Sequence, residues 1–87
     1  MSRTEVTIYT GRRCTYCSAV KRLLDNKGVK YKEVLIDDDP VLREEMLARA
    51  QRQTVPQIFI GGVHIGGFDD LAELNHEGKL DELLSPW

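Results

Sequence analysis

The order of strand-like and helix-like segments, β-α-β-α-β-β-α, predicts an α/β fold: a four-stranded mixed sheet flanked by helices on both faces. Three observations carry that expectation. The apolar period changes from strand-like to helix-like at Cys14. A helical segment then joins the first two strand-like runs, which implies a parallel pair with a right-handed crossover. Finally, Gly61-Gly62 separates two short apolar runs, the mark of an antiparallel hairpin whose turn needs positive φ at both central residues.

Each element follows from its residues. Glu5 to Thr10 alternates, with Val6 and Ile8 on one side and Thr7 and Tyr9 on the other. Gly11-Arg12-Arg13 breaks the pattern. From Cys14, residues Cys17, Val20, Leu23 and Leu24 recur at helical spacing, and Lys27-Gly28 ends the run. Tyr31 to Ile36, rich in β-branched and aromatic residues, is expected to be the second strand. Asp37-Asp38-Asp39-Pro40 opens the next helix, with Asp39 as N-cap and Pro40 in the first turn, where a missing N–H does no harm. Leu42, Met46 and Ala50 supply its apolar stripe. The aspartates lack the alternating ligands and following glutamate of a calcium loop, so capping and solvation are expected of them. Gln57–Ile60 and Val63–Ile65 are the hairpin strands. After Gly66-Gly67 a last helix carries Leu71 and Leu74, Gly78 stops it, and Leu80, Leu83 and Leu84 add an apolar turn before Ser85-Pro86-Trp87.

The chain has 87 residues, enough for a single domain spanning 1–87 and no second core. Hydrophobic residues at 41% and charged residues at 30% suit a globular protein, and a net charge of −2 builds no basic face for nucleic acid. Neither a secretory leader nor a membrane-spanning stretch is recognisable, so a cytoplasmic monomer is expected. Two cysteines this close in sequence cannot staple a secreted scaffold; in a reducing compartment the pair is expected to be redox-active or metal-binding.

The placement of Cys14-Thr15-Tyr16-Cys17 favours redox chemistry. Cys14 falls where a strand ends and a helix begins, near backbone N–H groups that stabilise a thiolate. Such sites bring a cysteine pKa from about 8.5 to roughly 3.5–7.5. Arg12 and Arg13 add to the effect where they face the sulfur. A fall to about 5 raises the thiolate fraction at neutral pH roughly 30-fold and costs about 40-fold in intrinsic nucleophilicity. Attack is hardly faster; the gain is a better leaving group, which suits a turnover catalyst. Cys17, one turn inside on the apolar face, is the expected resolving thiol. The alternatives are an inert buried pair, or half of a zinc site completed by His64 and His76, whose distance in sequence from Cys17 exceeds that of compact zinc modules. No metal is expected.

Three motifs in order, Cys14-Thr15-Tyr16-Cys17, Thr54-Val55-Pro56 and Gly66-Gly67-Phe68-Asp69-Asp70, resemble those of the glutaredoxin family, in particular its short dithiol bacterial type, over essentially the whole chain. The resemblance implies a thioredoxin-like fold and glutathione-dependent reduction of glutathione mixed disulfides and protein disulfides. It implies a cis peptide bond before Pro56, with the Val55 backbone open to an extended substrate. It also implies that Gly67, Phe68, Asp69 and Asp70 hold the γ-glutamyl end of glutathione, that Tyr16 lines the sulfur groove, and that Arg52 meets the glycyl carboxylate. The plainer alternatives are a plain turn proline before a strand, an N-cap role for the aspartates, an exposed aromatic spacer, and a solvated helix-end arginine. Two positions depart from the family pattern. Thr15 stands where many relatives carry proline, which would remove an N–H. Gly11 stands where many carry lysine, and Arg12 or Arg13 is expected to supply that charge. Glutathione is the expected reductant, and glutathionylated or disulfide-containing proteins the partners. The alternatives are a carrier bridging a [2Fe–2S] cluster and a donor reduced by thioredoxin reductase.

Overall fold

A computed structural model describes residues 5–84, so the closing Ser85-Pro86-Trp87 lies outside the described residues. The elements are β1 (Val6–Thr10), α1 (Thr15–Asn26), β2 (Lys32–Leu35), α2 (Pro40–Ala50), β3 (Gln57–Ile60), β4 (Val63–Gly66), α3 (Phe68–His76) and α4 (Lys79–Leu84). The sheet order is β2-β1-β3-β4. The β1/β2 pair is parallel, and β3 runs antiparallel to both β1 and β4. The mixed four-stranded sheet is therefore as expected from sequence.

Local chemistry sets the boundaries. The Asp39 carboxylate caps α2, accepting from the Val41 and Leu42 N–H groups at 3.1 Å, with Pro40 in the first turn. Gln51 closes that helix in the left-handed region at φ 57°, and its N–H returns to the Leu47 carbonyl, a C-cap that carries no glycine signature. Gly61 and Gly62 turn the hairpin at φ 59° and 83°. The structure corrects several bounds, and β4 runs one residue further than expected, to Gly66. Glu5 precedes β1, Tyr31 and Ile36 flank β2, and the apolar turn after Gly78 is a separate helix, α4.

Two cores lie on opposite faces of the sheet. On one, Val6, Ile8, Ile58 and Ile60 pack against Val20 and Leu24 of α1, Leu71 of α3 and Leu80 of α4. On the other, Tyr9 and Phe59 pack with Ile36 and with Met46 and Ala50 of α2. Both faces of β1 and β3 are thus covered, and every residue of β3 is buried. The Tyr9 hydroxyl donates to Glu45 and accepts from Arg49, each at 2.7 Å. Burial first, and then Glu45, pushes its pKa up. Among the described residues no helix is long and apolar enough to cross a membrane.

Ile58 at the centre of the first core has no exposed surface. Ile58→Ala is expected to lower the unfolding free energy by about 2–5 kcal/mol, a large share of the roughly 5–15 kcal/mol typical of a domain. Val41→Ala, at a residue 74% exposed, is expected to change it by no more than about 0.5 kcal/mol. Urea unfolding measures both, and equal midpoints for the two variants would contradict this core.

Candidate active site

Strand register brings three segments to one end of the sheet. β1 pairs Tyr9 with Gln57, and β3 pairs Ile58 with Gly66. The turn leaving β1, the segment entering β3 and the glycines leaving β4 therefore meet where β1 ends.

Cys14 arrives there as the N-cap of α1, in extended conformation, and its Sγ accepts the Cys17 N–H at 3.1 Å. It is half-buried, whereas Cys17 is buried on the apolar face of the helix. The two Cα atoms lie 5.2 Å apart and the sulfurs are joined in a disulfide, within the spacing such a bond requires. In the reduced state the same N–H and the positive end of α1 favour a thiolate on Cys14 over one on Cys17. Thr15 opens the helix and keeps the N–H that proline would lack.

The Val55–Pro56 peptide is cis, and the Val55 carbonyl oxygen lies 3.6 Å from Cys14 Sγ. Beside them opens a cleft of about 220 Å³. Arg52, Thr54, Val55 and Pro56 form one wall; Gly67, Phe68, Asp69 and Asp70 form the other, with Tyr16 at the sulfur end. Tyr16 is 61% exposed and stacks on Phe68, ring centroids 5.9 Å apart, so the aromatic spacer belongs to the groove. The Asp70 carboxylate accepts from the Gly67 N–H at 3.0 Å and from Arg52 at 3.3 Å. These bonds, the Gly67 one foremost, hold its pKa below the usual carboxylate range. Since Gly67 is engaged by Asp70, the start of α3 offers an incoming carboxylate the N–H groups of Phe68 and Asp69. Gly66 sits at φ 120°, and a Cβ there would collide with the Asp70 carboxylate.

The upstream arginines differ from one another. Arg12 pairs with Asp38 at 2.9 Å, and its N–H donates to Asp37 at 2.9 Å, so Asp38 balances its charge at short range. Arg13 is exposed in the same turn. A Cβ on Gly11 would stand 3.2 Å from Asp37 Oδ1 and 3.3 Å from Val55 Cγ2; Asp37 crowds the place where a longer side chain would start.

Two residues at this end make contacts that the sequence does not indicate. Asp37 is one. Gln57, buried at the entrance to β3, is the other: its amide donates to the Thr54 carbonyl and hydroxyl. The available signal was a polar residue opening an otherwise apolar strand. His64, expected to be ordinary, lies 2.7 Å from Gln57 Oε1. Burial first, then Arg52, pushes its pKa down, against an opposing pull from Asp70. Among the described residues no group of three or more His, Cys, Asp or Glu is placed to hold a metal, so His64 and His76 do not complete a zinc site with the cysteines.

Comparison with known proteins places this geometry. The glutaredoxin family model matches residues 6–65. Glutaredoxin 3 of Escherichia coli K12 is 53% identical over 79 residues, covering 91% of this chain and 95% of that protein. The solution structure of a Brucella melitensis glutaredoxin superposes with a TM-score of 0.85 at 50% identity, covering 98% of this chain and 92% of that one. A buckwheat glutaredoxin–glutathione complex gives a TM-score of 0.85 at 34% identity, covering 93% of this chain and 76% of that one. The architecture is thioredoxin-like.

Because the folded state lowers the Asp70 pKa, its charge stabilises the fold fully above the unfolded carboxyl value of about 3.9, and that contribution disappears as pH falls through the lower folded value. Asp70→Asn is therefore expected to be less stable than wild type near neutrality, with the difference closing in strong acid. Thermal unfolding of both proteins across the acid range checks this; a gap that does not narrow would rule it out.

Proposed function

The chain belongs to the glutaredoxin family, and from that premise we propose that it is a glutathione-dependent reductase of glutathione mixed disulfides and protein disulfides. The observation that carries the proposal is the juxtaposition of a helix-capping, partly exposed Cys14 with a peptide-sized cleft walled by a cis-proline segment and an acidic helix start. The family and the Cys14–Cys17 pair together support thiol–disulfide exchange. The glutathione bound in the buckwheat relative, and the complementarity of the cleft to a tripeptide with charges at both ends, support the reductant.

Glutathione has a γ-glutamyl end with a carboxylate and an ammonium group. The α3 N–H groups suit the first, and the exposed Asp69 or the arginine-paired Asp70 suits the second. Arg52, on the opposite wall, suits the glycyl carboxylate. The Val55 N–H and C=O are matched to the backbone of an extended substrate, while Tyr16 and Phe68 flank the path to the sulfur.

With a mixed disulfide, the Cys14 thiolate attacks the glutathione sulfur. A Cys14–glutathione disulfide forms and the protein sulfur leaves as a thiolate, which takes a proton from solvent. The thiolate of a second glutathione then attacks that sulfur, forming oxidised glutathione and returning Cys14 as thiolate. With a protein disulfide, Cys14 attacks one sulfur. Cys17 next attacks Cys14, releasing the dithiol product and leaving the Cys14–Cys17 disulfide, which two glutathiones reduce. The mixed-disulfide route consumes one glutathione thiol and returns one protein thiol, whereas the protein-disulfide route passes two electrons from two glutathione thiols to one disulfide. Glutathionylated and disulfide-containing proteins are the proposed substrates, and the cytoplasm, where glutathione is reduced, is the proposed compartment.

The test is turnover of a glutathione mixed disulfide with glutathione, glutathione reductase and NADPH. Cys14→Ser is expected to fall to background and Cys17→Ser to keep activity of the wild-type order, because only the protein-disulfide route needs the second thiol. Wild-type turnover in Cys14→Ser would overturn the mechanism. Absence of glutathione-linked turnover in the wild type would overturn the proposal itself.

A further inference from the structure

The chain of contacts behind the cis-proline wall has a fixed direction. Gln57 is 1% exposed, and its Nε2 donates to the Thr54 carbonyl at 3.0 Å and to Thr54 Oγ1 at 3.2 Å. A carbonyl only accepts, so the amide cannot be turned over without setting oxygen against oxygen. Gln57 Oε1 must therefore face the other way, where His64 Nε2 lies 2.7 Å from it. Since Oε1 also only accepts, His64 carries a proton on Nε2. The acceptor chemistry of one backbone carbonyl thus decides the tautomer of a histidine on the neighbouring strand.

The imidazole is held for that task independently of the bond. His64 pairs across strands with Phe59, and the two rings lie 5.0 Å apart. The Arg49 guanidinium sits 4.2 Å from the Phe59 ring. One consequence reaches the cleft. Thr54 Oγ1 accepts from Gln57, so its own proton is free to turn outward into the cleft that Thr54 lines.

We infer that His64 is a positioning residue: through the Gln57 amide it fixes Thr54-Val55-Pro56 and turns the Thr54 hydroxyl into a donor for an acceptor group on the bound peptide disulfide. His64 does not touch the reacting sulfurs. Without its proton, Gln57 Oε1 is a buried acceptor lacking its partner, and the amide loses the constraint that keeps both donors on Thr54. The identity of the bound peptide rests on the function proposed above; the direction of the hydrogen-bond chain does not.

His64→Phe keeps a ring against Phe59 and removes the donor. It is expected to raise KM for the glutathione mixed disulfide about five- to tenfold, to leave kcat within about twofold, and to leave the pH profile of Cys14 alkylation by iodoacetamide unchanged. His64→Gln, which restores an amide donor, is expected to recover part of the loss. An unchanged KM in His64→Phe, or a shifted alkylation profile, would overturn the inference. Independently of turnover and of any variant, long-range proton–nitrogen NMR of the wild type at neutral pH is expected to show the proton on Nε2 of His64. A proton on Nδ1 alone would overturn the inference. Wild type without glutathione-linked turnover would instead count against the proposed function, and the NMR result would still decide the tautomer.

Discussion

The pairing of β3 with β1 on one side and β4 on the other is the constraint on which the site depends. Because Tyr9 stands opposite Gln57 and Ile58 opposite Gly66, three loops from distant parts of the sequence reach the same end of the sheet. A slip of one residue would turn Ile58 and Ile60 out of one core and Phe59 out of the other. It would also carry Val55 away from Cys14. The cores that fill both faces of this strand are therefore what holds the cleft in shape. The site needs no separate scaffold; it is the place where a doubly buried strand begins.

At that end the two thiols are made unequal by position alone. One is the cap of a helix, half-buried and offered an N–H; the other is a turn further in, among core residues. Thiol exchange needs such a difference, because the sulfur that attacks must also be the one that leaves readily. A helix beginning directly after a strand supplies it without an additional buried charge. Arg12, which stands nearby in sequence, is balanced by Asp38, so the helix end and the Cys17 N–H bear more of the stabilisation than the local charge count suggests.

What the sequence disclosed and what it withheld differ in kind. Features set by one residue's own chemistry were legible: the Asp39 cap, the Gly61-Gly62 turn, the half-buried sulfur ahead of the buried one. The nine residues that the family resemblance implies for glutathione are brought together along one cleft, because they travel in short motifs. Features that require knowing which distant group stands opposite were not legible. Asp37 beside Gly11, Asp38 on Arg12 and the tether from Gln57 to Thr54 each join residues whose pairing the fold alone decides. Tyr9 is intermediate: its alternation placed it opposite Ile8, but only the packing of α2 shows that its side of the sheet is a second core. The separate α4 shows in the sequence only as an apolar turn, because six residues carry too little periodicity to define a helix.

Gly66 has a consequence for anyone engineering this scaffold. Replacing glycine with alanine is a common route to heat tolerance, since it narrows the freedom of the unfolded chain. At Gly66 that route is closed twice, by a backbone at φ 120° and by the Asp70 carboxylate in the space a methyl group would take. Gly28 and Gly78 have open space around them but left-handed backbones, at φ 70° and 78°. There asparagine is the admissible exchange and alanine is not. A rigidifying library for this protein should therefore spend its diversity on helix surfaces and leave the diglycine corner untouched.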